Sequence, residues 1–526
     1  MPKVAKSLLA GLTLAAALSA CSTPEVRQIT ILHTNDIHGR HLPVQVEPGN
    51  ATAQTGDPGR SEQSYGREGM IGGFAHLAGA IQTVRRDKGV ENVLLVDGGD
   101  TFGDDLLGNL TKGEAMIRLM NAVGYDLMAL GNHDFDYGVD RTVELQRIAR
   151  FPMRGANVVG SDGQPFGGDP YVIKTVGGTR VAMLTLGYHN TAKTGSPKNV
   201  EGLTFINGIE VARRLVPLLR QQADLVVVLS HQGSKVDREM AKQVGEIDLI
   251  IAAHSHDKMS PPEQVNGVWI AQAMSDGTML GQLTLTVNKS GLVGVDGKMI
   301  ELWNDRMRPD PAVERLLGEL RAPHRARLEE IIATAKERIG RRYKSESPFD
   351  TLAGEIMRER TGAAISFMPG VGYGVTIEPG PITREQLTAL LPHPSKMVTM
   401  SLTGQQVMQI LEQSATNQKT SDPMKGVGGL IQTSGLAYTV DLNRPEGQRV
   451  SRVLVGDQSI DLERSYKIVT NAGMREGIHN YATFASGRNV VEDPYSVTEI
   501  VEQGFRRRGA ISLPMLGRVR LIPAAD

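Results

Sequence analysis

Five short polar clusters in the N-terminal half of the chain carry residue types that bind transition-metal ions. Each cluster directly follows an apolar segment, and together the clusters supply four imidazoles, two carboxylates and one carboxamide. The seven side chains are those of Asp36, His38, Asp100, Asn132, His231, His254 and His256. Because this donor set is rich in nitrogen and contains no sulfur, it suits Mn²⁺, Zn²⁺ or Fe better than Ca²⁺ or Mg²⁺.

Seven ligands are too many for one tetrahedral ion. They fit two divalent ions that share a bridging carboxylate and lie about 3.5–4 Å apart, an arrangement used for phosphoryl transfer. Such a pair lowers the pKa of a bridging water and holds the attacking and leaving oxygens in line. The cluster that contains Asn132, residues 131–136, also holds His133 and Asp136, which are not among the seven ligands. They predict a catalytic pair, a general acid and the group that orients it.

Six apolar segments, five of which precede these clusters, predict strands of a parallel sheet buried on both faces. They are Ile29–Leu32, Val93–Val96, Leu127–Leu130, Val181–Leu186, Leu225–Leu229 and Leu249–Ala253. Amphipathic segments between them predict helices over Phe74–Arg86, Gly113–Ala122, Gly208–Gln221 and Val236–Val244. In open α/β sheets, ligands bind beyond the carboxyl ends of the strands. We therefore expect the five clusters to converge at one site.

The length of 526 residues is typical of two or three domains. Alternation of strands and helices predicts an α/β domain over residues 28–305, in which the polar residues 43–70 form a loop insertion. The charged stretch 311–342 predicts a helix or helix pair that links two domains, and the linker is assigned to residues 306–344. Residues 345–526 predict a second unit. Its elements are a helix over Phe349–Arg360 and strands over Met397–Leu402, Ala437–Leu442 and Tyr466–Thr470.

Composition excludes several classes of protein. The chain has 57 Lys and Arg against 58 Asp and Glu, so its net charge is −1. This balance and an aromatic content of 4% argue against a partner that is a nucleic-acid polymer and against a polybasic membrane-binding surface. The single cysteine excludes an intrachain disulfide and any Cys-based metal site.

The first twenty residues predict a signal peptide. Basic residues at positions 3 and 6 precede an apolar run, 8–18, that is too short to span a bilayer. The sequence Leu18-Ser19-Ala20-Cys21 resembles the lipobox of bacterial lipoproteins, which implies cleavage before Cys21 and lipidation of that residue. The alternative is a plain secretory signal. We expect an exported protein, lipid-anchored on the periplasmic face of a bacterial membrane, and Ser22 is similar to the pattern that sorts lipoproteins to the outer membrane.

The D-x-H-G, G-D, G-N-H-D-F-D, S-H and H-x-H series resembles that of calcineurin-like metallophosphoesterases. Its order, together with the second unit, resembles the 5′-nucleotidase superfamily. This resemblance implies a four-layer αββα catalytic domain, a linker helix and a smaller C-terminal α/β domain that binds substrate. It also implies that His133 and Asp136 assist the leaving group. The implied ligands of one ion are Asp36, His38, Asp100 and His256, and those of the other are Asp100, Asn132, His231 and His254.

The second unit departs from the nucleotidase pattern. In the loop 368–374 a glycine replaces the phosphate-binding arginine of nucleotidases, and their two base-stacking phenylalanines map near His393 and Gly473. The loop 477–481 replaces a G-G-D-G-Y motif. The arginine and phenylalanines with which nucleotidases bind a nucleotide are therefore not visible in the sequence. The candidates for substrate binding are Tyr373, His393, His479 and Tyr481.

A second resemblance is to the thiosulfohydrolases of bacterial sulfur oxidation, and residues 42–44 and 47–48 and stretches 72–78, 254–262, 369–374 and 379–385 carry it. That family replaces the histidine–aspartate pair, whereas this chain keeps residues 131–136 intact. The sequence therefore predicts a hydrolase of small phosphate esters, with 5′-nucleotides as candidate substrates. The alternatives are a thiosulfohydrolase-like enzyme that acts on a sulfur-loaded carrier protein, and a non-catalytic metal-binding lipoprotein.

Overall fold

The computed structural model describes residues 26–48, 65–374 and 376–524. The predicted signal peptide and Cys21 lie outside these residues. Within the described ranges, none of the helices combines the length and the apolar character that crossing a bilayer requires.

The first half of the chain contains an eight-stranded sheet that includes three of the predicted strands. Its apolar runs are almost completely buried, as expected for strands covered on both faces. In spatial order the strands are Thr204–Phe205, Met153–Val159, Leu127–Ala129, Val93–Asp97, Arg27–Thr34, Met279–Asn288 and Gly291–Glu301, and Pro165–Phe166 pairs with Met153–Val159. The strand Arg27–Thr34 is parallel to Val93–Asp97 and antiparallel to Met279–Asn288.

A second sheet of six strands holds the other three predicted strands. In spatial order they are Glu263–Val265, Val268–Ala271, Leu249–Ala252, Leu225–Ser230, Thr179–Leu186 and Tyr171–Val176. One apolar core joins side chains of the two sheets, including Ile31, Val96, Val181 and Leu229. The two sheets therefore pack face to face, although the sequence did not assign the predicted strands to separate sheets.

Helices cover the outer face of each sheet. The helices of the first half are Phe74–Lys88, Leu106–Thr111, Glu114–Val123, Val139–Ile148, Gly208–Arg220 and Ser234–Gln243. Phe74–Lys88 and Glu114–Val123 share a core with the first sheet, while Gly208–Arg220 and Ser234–Gln243 share a core with the second. These layers confirm the predicted αββα order.

The predicted linker and loop insertion differ from the structure. The helix Pro311–Arg321 continues through a short turn to Arg325–Leu328, but Ile331–Ala335 forms a strand. This strand pairs with Gly380–Thr383 and Ala510–Ile511 of the second unit, and those pairings outweigh the helical pattern of residues 331–342. The insertion 43–70 is not wholly a loop, because Pro43–Val46 pairs with Gly69–Gly72 at its ends.

The second unit is built around a five-stranded sheet. Its strands, in order, are Gln432–Ser434, Ile365–Met368, Ser465–Asn471, Lys396–Thr403 and Arg488–Ser496. A four-stranded sheet contains Gln458–Ser459, Val450–Val455, Leu436–Asp441 and Val519–Ile522. The helices are Pro348–Thr361, Arg384–Leu390, Gly404–Gln418, Ala472–Arg475 and Val497–Arg508. All four elements predicted for this unit are present, and each of their boundaries is shifted by one residue.

Several contacts join the two units. Arg321, at the end of the helix Pro311–Arg321, donates two hydrogen bonds of 2.6 and 3.0 Å to the carboxylate of Glu385. Asn109 Nδ2 donates to the carbonyl of Pro392 at 2.7 Å. On the other side of the interface, Asn190 Nδ2 donates to the carbonyl of Met424 at 2.8 Å. The two units therefore touch on both sides of the space between them.

Candidate active site

The loops after the first two parallel strands are held together by backbone hydrogen bonds. The amide of Asp36 donates to the carbonyl of Gly99, and the amide of His38 donates to the carbonyl of Asp100, each at 2.9 Å. These bonds extend the strand pairing by several residues past Thr34 and Asp97. Two of the five polar clusters are thereby fixed side by side at the carboxyl edge of the sheet.

One group of metal-binding residue types consists of Asp36, His38 and His256. One ligand atom from each lies within 4.8 Å of the others, and all three residues are buried. His38 Nδ1 donates to Asp104 Oδ2 at 2.7 Å, which leaves Nε2 as the ring nitrogen of His38 that could contact a cation. That Nε2 lies 3.1 Å from Nε2 of His256. The two nitrogens therefore face one point, where a cation could bind both.

A second group consists of Asp100, His231 and His254, again with ligand atoms within 4.8 Å of one another. His231 Nδ1 donates to the carbonyl of Gly98 at 2.7 Å, which leaves Nε2 facing Asp100 Oδ2 at 3.0 Å. The two groups adjoin, because Asp36 Oδ1 lies 3.3 Å from His256 Nε2 and 3.9 Å from His231 Nε2. Burial opposes ionisation of Asp36, but the neighbouring imidazoles lower its pKa to about 2.

The donor atoms fit divalent cations. In the described part of the chain, Asn132 Oδ1 is buried without a hydrogen-bond partner, and the buried Nε2 of His231 has only its ion-pair contact with Asp100. Buried polar atoms are normally satisfied, and an unpaired one costs about 1–3 kcal/mol. An acceptor oxygen and an imidazole nitrogen without donors are the atoms that a metal ion would bind. All seven predicted ligand residues therefore converge on one region.

The backbone at this region is held in an uncommon conformation. Five of the seven residues have positive φ angles between 48° and 71°: Asp36, His38, Asp100, His254 and His256. Each such residue costs about 1–3 kcal/mol unless its surroundings impose the conformation. Tight strand-to-loop turns here direct side chains from several loops toward a common point.

Gly131 leaves room for one of the carboxylates. A Cβ atom added at Gly131 would lie only 2.1 Å from Asp100 Oδ1. That same oxygen accepts a hydrogen bond of 2.7 Å from the amide of His133. The glycine before Asn132 is therefore required by the close approach of the Asp100 side chain.

His133 and Asp136 form a direct pair beside the two groups. His133 Nδ1 donates to Asp136 Oδ2 at 2.8 Å and also lies 3.5 Å from Asp104 Oδ1. Burial alone would lower the pKa of His133, but the carboxylates of Asp104, Asp136 and Asp100 raise it well above its ordinary value. The ring is therefore held in its protonated form, with Nδ1 bound to a carboxylate.

His393 reaches this pair from the second unit. Its Nε2 lies 2.8 Å from Asp136 Oδ2 and 3.1 Å from Asp104 Oδ1, and its Nδ1 lies 2.9 Å from the hydroxyl of Tyr373. The sequence placed His393 and Tyr373 among the substrate-binding candidates. Both line a cavity of about 590 Å³ between the units, together with His38, His133 and His254.

The other two substrate candidates differ in position. His479 lines the same cavity, and burial together with the nearby His133 and His393 lowers its pKa to about 4, so it is neutral. Tyr481 does not line it. Its side chain is 1% exposed and packs against Phe484 in the core of the second unit. The structure thus places the ring of Tyr481 in a core position below the loop, away from the cavity that the other candidates line.

Two residues at the site were not predicted from the sequence. Asp104 accepts the hydrogen bond of His38 and contacts both His133 and His393, yet it ends no strand and belongs to no recognised motif. Tyr188 stacks on His254, with ring centroids 3.8 Å apart and planes 29° apart. The signal that could have found Tyr188 is its position two residues after the strand Thr179–Leu186.

Family models match both halves of the chain. Residues 29–258 match calcineurin-like phosphoesterase, and residues 331–486 match the 5′-nucleotidase C-terminal domain. The chain thus combines a calcineurin-like phosphoesterase domain with a 5′-nucleotidase C-terminal domain. This phosphoesterase is accordingly a metal-dependent hydrolase with an N-terminal catalytic domain and a C-terminal nucleotidase domain.

Known proteins resemble this phosphoesterase over most of its length. The structure of sulfate thiohydrolase SoxB from Thermus thermophilus has a TM-score of 0.85 at 27% identity and covers 94% of this chain and 97% of that one. A 5′-nucleotidase precursor, also from Thermus thermophilus, has a TM-score of 0.83 at 28% identity, with coverages of 95% and 100%. The trifunctional nucleotide phosphoesterase YfkN of Bacillus subtilis is 26% identical over 85% of this chain, which spans 34% of that longer protein.

Proposed function

We propose that this protein is an exported, lipid-anchored phosphoesterase with a dinuclear metal centre that hydrolyses small phosphate monoesters, 5′-nucleotides among them. One observation carries the proposal: His133 Nδ1 lies 2.8 Å from Asp136 Oδ2, on the wall of the cavity that the metal-binding residues also line. Protonation of an alkoxide leaving group requires an acid at such a position. Export and lipidation at Cys21 rest on the sequence of residues 1–21.

The proposed ligand sets follow the two groups of donors. Asp36, His38 and His256 would hold one cation, Asn132, His231 and His254 the other, and Asp100 would bridge them. Two divalent ions of Mn, Zn or Fe would supply positive charge to the phosphate oxygens and lower the pKa of a water molecule. The protein would set the positions of the donor atoms, because the loop hydrogen bonds and the positive φ angles fix the direction of the donor side chains.

His133 would deliver the proton. With Nδ1 bound to Asp136, the protonated ring has only its Nε2–H left to donate. In the reaction a water oxygen bonds to phosphorus and gives up a proton, the bond between phosphorus and the ester oxygen breaks, and the ester oxygen takes the Nε2 proton. Asp136 holds the ring in place and stabilises its charged form before the transfer.

The second unit would hold the rest of the substrate. Tyr373, His393 and His479 line the cavity on that side. Lys198 and Lys396 also line it, and Lys396 is paired with Glu492 at 3.1 Å. Among the residues that the structure describes, no pair of phenylalanines lines this cavity, so a nucleobase would stack on other rings or be held by polar contacts. The proposal therefore includes 5′-nucleotides without restricting the enzyme to them.

A second candidate is a thiosulfohydrolase-like activity on a sulfur-loaded carrier protein. The structural likeness to SoxB, with a TM-score of 0.85, favours it. The retained His133 and Asp136 favour the phosphate ester instead, because a thiolate-type leaving group has less need of an acid than an alkoxide has.

The deciding experiment uses residues 22–526, stripped of metal and resupplied with Mn²⁺ or Zn²⁺. Turnover of p-nitrophenyl phosphate and of a panel of 5′-nucleotides is measured for the wild type, for His133→Ala and for His189→Ala as a matched control. Metal-dependent turnover that only His133→Ala loses would support the proposal. Inactivity toward the whole panel, with cleavage of a thiosulfate-loaded carrier peptide, would favour the second candidate. A protein that neither binds metal nor turns over any substrate would be a non-catalytic lipoprotein.

A further inference from the structure

Arg341 is a buried cation in the wall of the cavity between the two units, and the sequence assigned it no role. Its side chain is 2% exposed. Nε and Nη2 donate to the two carboxylate oxygens of Asp350 at 3.0 and 2.8 Å. Because a guanidinium is planar and this pair is bidentate, the direction of the remaining nitrogen, Nη1, is fixed.

Nη1 connects two segments of the second unit. It donates to the carbonyl oxygens of Leu390 and Tyr373, at 2.5 and 3.5 Å. The guanidinium carbon also lies 5.4 Å from the centre of the Tyr373 ring. Gly374 makes room for this side chain, since a Cβ atom added there would lie 3.0 Å from Arg341 Cδ. One buried side chain therefore holds the loop that carries Tyr373 against the end of the helix Arg384–Leu390.

The segment at the end of that helix is held at successive carbonyl groups. The last carbonyls of a helix have no partner within it, and here side chains supply the donors. Besides Arg341, they are Arg40 to Ala389 at 3.0 Å, Thr498 to Leu391 at 2.8 Å and Asn109 to Pro392 at 2.7 Å. Arg40 and Asn109 belong to the first unit and Thr498 to the second. Both units therefore fix the backbone that leads directly to His393.

The ring of His393 is fixed as well. Its Nδ1 lies 2.9 Å from the hydroxyl of Tyr373, and its Nε2 lies 2.8 Å from Asp136 Oδ2. Arg341 thus contacts the backbone three residues before His393 and also the tyrosine that bonds to its ring. We propose that Arg341 is a positioning residue, which sets the imidazole of His393 against Asp136 and thereby holds His133 in the orientation for proton transfer. This inference rests on the proposed phosphoesterase function and adds to it a residue that acts through His393.

The test is a double-mutant cycle on the Mn²⁺-loaded protein, with phenyl phosphate as the substrate. Arg341→Lys keeps a positive charge beside Asp350, but an ammonium group cannot reproduce the bidentate pair together with the bonds to two carbonyls. We expect kcat to fall about tenfold, because a small displacement of a catalytic group costs up to about 10²-fold. KM should stay within about twofold of the wild type, since the inferred role involves no contact with the substrate. In the His393→Gln background, Arg341→Lys should change kcat by less than about twofold.

Two further variants separate positioning from stability. Arg449→Lys is the matched control, because Arg449 is also buried in the second unit and donates to the carbonyls of Ala415 and Lys419, away from the cavity. It should leave kcat within about twofold in both backgrounds. Arg341→Met combined with Asp350→Leu removes both charges together, which avoids an unpaired buried carboxylate. This double variant should melt no lower than Arg341→Lys and show the same loss of kcat.

An equal loss of kcat from Arg341→Lys in the wild-type and the His393→Gln backgrounds would overturn the inference. A raised KM at unchanged kcat would also overturn it, because it would show direct contact between Arg341 and the substrate. A folded double variant with the kcat of the wild type would do the same. If the wild type hydrolyses no phosphate ester, the proposed function fails, and this inference fails with it.

Discussion

His393 Nε2 lies 2.8 Å from Asp136 Oδ2, although 257 positions separate the two residues in the chain. Asp136 belongs to the first unit and His393 to the second, so the contact forms only when the units are together. The same aspartate oxygen accepts the hydrogen bond of His133. Contact between the domains and orientation of the proposed acid are therefore linked through one carboxylate.

We predict that His393→Gln lowers kcat about tenfold or more, a part of the 10²–10⁴-fold that a general acid contributes. The reason is that Asp136 loses its second partner and holds His133 less firmly. Steady-state kinetics across a pH series would measure this, with a change in the pH profile as well as in kcat. His189→Gln is the matched control, because His189 contacts Met424 at the same interface but away from the pair. Equal effects of both substitutions would show a general weakening of the interface instead.

Asp104→Asn should weaken metal binding by about 10–100-fold, the usual effect of removing a partner that orients a ligating histidine. The carboxylate of Asp104 accepts a hydrogen bond of 2.7 Å from His38 Nδ1 and raises the basicity of Nε2. Titration of metal against a competing chelator would measure the change. Asp126→Asn, which loses an ion pair with Lys174 outside the site, should bind metal as the wild type does.

Removal of the proposed bridging carboxylate and removal of the proposed acid should have different consequences. Asp100→Ala is expected to release both ions, because one side chain contributes to both groups of donors. His133→Ala should retain its metal and lose about 10²–10⁴-fold in turnover. Elemental analysis of the purified variants distinguishes the two, and loss of metal from His133→Ala would contradict the assigned role.

Stability should fall as pH rises from about 4 to about 8, in part because of Asp237. Burial raises the pKa of this carboxyl from 3.8 to about 8, and Ser230 donates a hydrogen bond to it. In this range the folded state binds a proton that the unfolded state has lost, so the contribution is full below pH 4 and is lost through pH 8. The slope from one group is at most about 1.4 kcal/mol per pH unit.

Chemical denaturation of Asp237→Asn at a series of pH values would test this. The amide is neutral at every pH, so we expect a shallower fall than in the wild type. Asp224→Asn is the control, because Asp224 is paired with Arg180 near the surface and that pair lowers its pKa. The stabilising contribution of Asp224 is lost only as pH falls below about 4, so its removal should not change the slope between pH 5 and 8.

Much of the catalytic unit could be predicted from the sequence because two simple patterns coincide there. The strands Leu225–Ser230 and Leu249–Ala252 read as uninterrupted apolar runs, and His231 and His254 follow them directly. The carboxyl edge of a sheet then brings residues distant in the chain together. The positions of the predicted metal-binding residues therefore follow mainly from where the regular apolar strands end.

The structural features that could not be predicted depend on contacts between chain segments whose sequences have neither helical nor strand periodicity. Asp104 gains its position from a loop with a positive φ angle, and no spacing rule connects it with His393. The strand Ile331–Ala335 follows a helix and has a sequence compatible with continuing it, but partners on both sides extend it. Tyr481 and Tyr373 both lie in loops of the second unit. Only the packing around them places Tyr481 in the core and Tyr373 at the wall of the cavity.

The positive φ angles of five of the predicted metal ligands have a thermal consequence. Cations that bind the folded chain and not the unfolded one oppose the strain, and a ligand at 100 times its dissociation constant stabilises by about 2.7 kcal/mol. The melting temperature should then rise with the concentration of free metal until the sites are filled. A heating curve would report occupancy of the centre without any knowledge of the substrate.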